Sequence, residues 1–164
     1  MTAAPFPAAT IAAARDAARE QLRIAGHAED ALIDRLCTTA MTLAEAFTGT
    51  ALIARDHVAT MGVAAEWRAL PTCPVRAITA GADVAAIDID ADGTGWVRMT
   101  AAGEVRFVAG MADDWTALPP PIAHGVIVLV AHLFDTRERD AAPPAAVGAL
   151  WRPWRRMRLG EVRR

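Results

Sequence analysis

The chain has no lysine, no serine and no tyrosine among its 164 residues, and only two cysteines. A chain without serine cannot carry a serine nucleophile. With lysine absent, all 17 basic residues are arginine; alongside the alanine excess this reads as genomic base composition, so any one arginine says little about function. Cys37 and Cys73 form no CxxC pair, and the opening MTAAPFPAAT has neither the basic nor the apolar region of a signal peptide. The expectation is two reduced thiols in a cytoplasmic protein. There is no P-loop, GxGxxG or GxSxG motif, and no internal repeat. Catalysis and a cofactor therefore have no support, and the reading is of a non-enzyme.

Residues 103–139 organise what is present. A strand-like alternation over residues 104–109 is closed by Gly110, and a polar segment leads to Pro119, Pro120 and Pro121. Proline is tolerated in a first helical turn, where its missing N–H would be unpaired anyway. Ile122, Val126, Leu129 and Leu133 then recur at helical spacing, widened by Ile127, Val130 and Phe134. A helix apolar nearly all round belongs in the middle of a fold. Its apolar run of about thirteen residues spans roughly 20 Å, short of the roughly 30 Å hydrocarbon core, so no membrane span is expected.

Around it the spacing predicts an α+β fold, mostly α with a small antiparallel β insertion. A helix is expected over 10–25, capped by Thr10 and ended by Gly26, after a loose arm at 1–9. A second is expected over 29–48, with Leu32, Leu36, Ala40, Leu43 and Phe47 on its apolar face, broadened by Ile33, Cys37 and Ala44, and Gly49 as its stop. The insertion covers 51–110, with strands at 51–61, 67–70, 75–79, 84–89, 96–100 and 104–109, and a hairpin turn at Asp90-Ala91-Asp92-Gly93-Thr94-Gly95. The central helix is expected over 120–137, and a short one over 145–151 after Pro143 and Pro144. This divides the chain into a core, 1–142, and a C-terminal arm, 143–164.

Charge separates the same two parts. Residues 151–164 hold six arginines against one glutamate, about +5, so that the rest carries about −7 of the net −2. An uneven balance of this kind marks an interaction tail. In it Trp151, Trp154 and Met157 interleave with Arg152, Arg155, Arg156 and Arg158. Arginine with tryptophan serves either of two purposes, phosphate contact with base stacking or anchoring at a protein interface. Composition does not separate them.

Other candidates are weaker. Asp88, Asp90, Asp92 and Gly93 match the start of an EF-hand loop, but its twelfth position is Met99 instead of a bidentate glutamate, so a hairpin turn is expected. His124 and His132 lie eight residues apart on the central helix without a ligand set, and His27 and His57 have no evident partners, so no metal is expected. Cys37, on an apolar helix face, reads as packing.

Glu29-Asp30-Ala31-Leu32-Ile33 leading to Glu45-Ala46-Phe47-Thr48-Gly49-Thr50-Ala51-Leu52-Ile53 resembles the head–tail connector (adaptor) proteins of long-tailed phages and of phage-derived gene transfer agents. The similarity continues through Val105-Arg106-Phe107-Val108-Ala109-Gly110, through Leu129-Val130-Ala131-His132-Leu133-Phe134 and Arg137-Glu138, and into Ala149-Leu150-Trp151-Arg152-Pro153-Trp154-Arg155. It covers both ends and is weak over 60–100; phenylalanine stands at 134 where the family often has tyrosine. The resemblance implies a virion protein, made in the bacterial cytoplasm, that forms a dodecameric ring beneath the portal protein. It also implies docking to the portal through Leu150, Trp151, Arg152, Trp154, Arg155, Arg156, Met157, Arg158 and Leu159. The ring's other side would meet a stopper or tail-completion protein, and DNA would pass the lumen without specific binding. An acidic body would help to keep the DNA backbone from sticking. The rival reading is a small cytoplasmic DNA-binding or regulatory protein that uses the arginine tail.

Overall fold

The central helix, α3, spans Pro120–Asp135, and Ile122, Gly125, Val126, Ile127, Leu129 and Val130 are buried along it. Its prolines sit in the first turn, as expected. At its end Thr136 donates both its N–H and its hydroxyl to the carbonyl of His132. The computed structural model describes residues 1–136 and 142–156.

Two helices complete the first layer around α3. The first, α1, spans Ala8–Leu22 and differs from expectation at both ends. Pro7 caps it: its carbonyl accepts the N–H groups of Thr10 and Ile11, and Thr10 lies buried inside the helix. At the other end Arg23, not Gly26, takes the left-handed conformation (φ 57°), and Ile24 donates back to the carbonyl of Arg19. Ile24 packs on the core. That apolar contact accompanies this kind of helix stop and here outweighs glycine's conformational advantage.

The second helix, α2, spans Asp30–Thr48 and ends on Gly49 in the left-handed conformation (φ 69°). Its buried face is Ile33, Cys37, Ala40, Met41, Ala44 and Thr48. Of the bulky residues expected on that face, Ile33 is buried and Leu36 packs against the core, while Leu43 and Phe47 stand at 45% and 37% exposure. Ile33 and Met41, together with the smaller Cys37, Ala40 and Ala44, occupy the shared core with α1 and α3.

The β-rich part is two antiparallel sheets, not one. Strands β1 (Thr2–Ala3), β2 (Arg55–Met61), β3 (Ala64–Ala69), β4 (Val75–Thr79), β5 (Val84–Ile89), β6 (Gly95–Met99) and β7 (Gly103–Ala109) form the orders β1-β2-β7-β4 and β3-β6-β5. Leu70, Val75, Val97, Met99, Val105 and Phe107 fill a second core between them. The expected loose N-terminal arm is instead tied down: Thr2 and Ala3 pair with Val58 and His57. Residues 51–54, expected to begin a strand, run beside 110–112, with Leu52 and Ile53 fully buried. The backbone of Ala54 passes so close to Gly110 that a Cβ there would sit 2.2 Å from a main-chain nitrogen. The hairpin turn at 90–95 forms as expected: Asp90 accepts from the N–H groups of Asp92 and Thr94 and from the Trp96 indole. Those three bonds, the indole foremost, hold its carboxyl below the usual range.

Helices and sheets are joined by one ion pair. Glu45 on α2 meets Arg55 on β2 in a two-pronged contact, 2.7 Å at each prong, with both side chains largely buried. Glu45 also accepts the N–H of Leu52, while Arg55 donates to the carbonyls of Ala4 and Ile53 and lies 4.2 Å over the Phe6 ring. Removing one partner of such a pair strands the other charge. Glu45→Gln is expected to cost about 3 kcal/mol or more, measured as a shift of the urea unfolding midpoint.

Beside this pair His57 is 2% exposed and stacked on Phe107 at 5.4 Å, with the backbone of Ala109 beside its ring. Burial, then the Arg55 cation, pushes its pKa down; Glu45 and Asp56 oppose this more weakly. The unfolded chain takes up a proton on this ring below about pH 6.5, whereas the folded chain resists it to lower pH. Stability is therefore full above that value and declines as the pH falls through it. His57→Phe is expected to narrow the difference between unfolding midpoints at neutral and mildly acidic pH.

Candidate docking site: the seat of the C-terminal arm

After Pro143 and Pro144 the chain forms α4, Ala145–Trp151, and then a single 3-10 turn, Arg152–Trp154. Val147 and Trp151 stand four apart on one side of α4 and enter the helical core. Trp151 is 3% exposed, and its indole N–H donates to the carbonyl of Ile122 at 3.3 Å. It fits because position 125 on α3 has no side chain; a Cβ there would lie 2.2 Å from the indole nitrogen. Phe47 of α2 closes the other side, with ring centroids 5.9 Å apart.

Beyond Trp151 the chain crosses the junction between helices and sheets. The N–H of Arg156 donates to the carbonyl of Thr48, at the end of α2, at 2.8 Å. The guanidinium of Arg156 donates to the carbonyl of Asp92, in the β5–β6 turn, at 2.7 Å. Arg155 lies 5.8 Å over the Phe47 ring. Beneath this stretch is a cleft of about 330 Å³ lined by Thr50, Pro74, Asp92, Met111, Trp154 and Arg156 among others. Apolar Pro74, Met111, Pro153 and Trp154 line it together with the charged Asp92, Arg155 and Arg156.

The nine residues singled out in the arm thus divide. Trp151 is part of the folded core, Leu150 and Arg156 are half-buried, and Arg152, Trp154 and Arg155 are exposed. Met157, Arg158 and Leu159 lie outside the described residues. Sequence reasoning missed Phe47, Thr48, Asp92 and Gly125 as the arm's seat. For Phe47 a signal existed, a large aromatic at the end of an amphipathic stripe. For the two backbone carbonyls no sequence signal exists.

Burial pushes the Cys37 thiol up to about 12, where a thiolate nucleophile does not form at neutral pH. No three metal-ligating side chains converge among the described residues, and no described helix is long and apolar enough to cross a membrane.

No family model and no curated protein matches the chain. Solved structures do. The chain aligns over the whole of both chains with a component of the neck of a native GTA particle computed with C12 symmetry, at 26% identity and a TM-score of 0.77. A component of the neck of an empty GTA particle computed with C6 symmetry aligns equally fully, at 24% identity and a TM-score of 0.78. A third, from the virion of a native gene transfer agent particle, covers 98% of each chain at 24% identity and a TM-score of 0.72. The chain has the fold of a gene-transfer-agent neck protein. This agrees with the adaptor resemblance read from the sequence, and the neck fold extends over 60–100, where that resemblance was weak.

Within this fold, Gly125 is the residue on which the arm's seat depends most directly. Gly125→Ala is expected to push the Trp151 indole out, cost about 1–3 kcal/mol, and speed proteolysis within 142–156. An unchanged cleavage pattern would count against the seat as described.

Proposed function

We propose that the chain is a structural ring subunit of the neck of a phage-like particle, an adaptor that joins the portal protein to the stopper or tail. The full-length likeness to neck chains computed with C6 and C12 symmetry carries this reading. Copies arranged about the axis leave a lumen for DNA. The arm from Leu150 onward docks to the portal: Trp151 fixes its root in the core, and Trp154, Arg152 and Arg155 stand exposed. The acidic body resists phosphate contact. No step of this role requires catalysis, a cofactor or a metal.

Quantitative peptide mass spectrometry on purified particles tests the role. The expected result is a copy number close to that of the portal protein; absence from particles would end the adaptor reading. The arm needs a gentler cut than removal of 145–164, because Val147 and Trp151 belong to the core. A chain ending at Arg156 and carrying Trp154→Ala is expected to keep its unfolding midpoint and to lose portal attachment. Retained attachment would sink the docking assignment. DNA affinity of the intact protein that falls steeply with salt would favour the rival use of the arginines.

A further inference from the structure

From Thr38 to Phe47 the face that α2 turns to solvent carries no charged side chain of its own, and Arg155 of the arm lies over its Phe47 end. Thr38, Thr39, Thr42, Leu43, Ala46 and Phe47 are exposed there, and Glu45, the charged residue among them, is turned onto Arg55. The threonine hydroxyls are already occupied: Thr38 donates to the carbonyl of Asp34, Thr39 to that of Arg35 and Thr42 to that of Thr38, at 2.8–2.9 Å. Methyl and methylene groups dominate what remains, and drying such a surface strands no side-chain donor. A surface helix usually places charged residues on its outer face. Absence of charge around an apolar centre is instead the composition of the middle of a protein interface.

A second patch is different in kind. On the outer face of β3-β6-β5, the register sets Ala69 and Asp88 beside Trp96 and Ala86 beside Arg98. The Arg98 guanidinium lies 5.8 Å over the exposed Trp67 ring, and the Trp96 indole is tied to Asp90. Between Trp67, Asp88 and Trp96 is a hollow of about 300 Å³, large enough for an aliphatic side chain. Held tryptophans and an arginine are the residues that most often anchor an interface.

The pairing of two unlike patches selects the occupant. A twofold dimer uses one self-matching patch, whereas a ring joins two different surfaces of each subunit head to tail. Resting on the ring reading above, we propose that the uncharged face of α2 in one copy packs against the tryptophan-bearing face of β3-β6-β5 in the next, with Leu43 entering the hollow between Trp67 and Trp96.

Leu43→Cys and Trp67→Cys, singly and together, test this in purified particles with a short bismaleimide cross-linker. Native Cys37 and Cys73 are buried and do not compete. The double variant is expected to give a ladder of multimers and each single variant monomer alone. A double variant that stays monomeric overturns the contact, as does a dimer from Leu43→Cys alone, which would mean that α2 faces meet across a twofold axis. In a second variant, Thr42→Arg, the unfolding midpoint is expected to hold while copy number in particles falls at least tenfold; normal incorporation overturns the contact. If the unmodified chain is present at ring copy number while these variants fail the prediction, only this contact is lost. If the unmodified chain is absent from particles, the adaptor reading fails with it.

Discussion

The buried pairing of Glu45 with Arg55 is the constraint on which the rest of the molecule depends. The helical layer and the two sheets have separate cores, and this pair lies where they meet. Its energy is not the main point, since a buried pair roughly offsets its own desolvation. Its value is geometric. The carboxylate is consumed by Arg55 and by the N–H of Leu52, and the guanidinium by Glu45 and the carbonyls of Ala4 and Ile53. Any other placement of α2 on the sheets would leave some of these groups dry and unpaired. The end of α2, where Thr48 receives the arm, is one turn from Glu45, so the same pair positions the arm's seat.

The helical core sets small residues of α1 and α2 against the larger Ile122, Val126, Leu129 and Val130 of α3. Ala14, Ala18, Cys37, Ala40 and Ala44 are fully or almost fully buried, while Leu43, Phe47, Trp67 and Ile87 are substantially exposed. Burial stabilises by roughly 25 cal/mol per Å² of apolar surface, so each buried alanine contributes little. The large apolar side chains left exposed, Leu43, Phe47, Trp67 and Ile87, keep further hydrophobic gain available for neighbours. This is what a ring subunit requires: fold alone well enough to be delivered, then complete its burial on assembly.

The sequence carried the central helix, the strands of residues 75–109 and the hairpin turn, because proline, glycine and alternation act locally. It misled where the outcome depended on a partner element. The apolar stripe of α2 contained both Ile33 and Leu43, and only the packing against α1 and α3 decided that Ile33 goes inside and Leu43 stays out. Thr10 is a residue type favoured at a cap and lost to Pro7, three residues earlier, whose carbonyl accepts the N–H of Thr10 itself. Thr2 and Ala3 have no strand signal of their own; they become a strand because β2 offers an open edge.

The arm shows the same limit at its sharpest. Trp151 and Trp154 sit in one motif, three residues apart, and composition treats them alike. The turn of α4 places Trp151 with Val147 on the core side, and the following 3-10 turn carries Trp154 outward. What separates them further is Gly125, twenty-six positions away in the chain, whose missing side chain leaves room for one indole. In the docking role proposed above, an arm that reaches a partner must still be attached firmly to its own body. Trp151 supplies the attachment and Trp154 with the exposed arginines the reach. Two residues that read as one binding motif in the sequence are thus the fixed and the free ends of a single device.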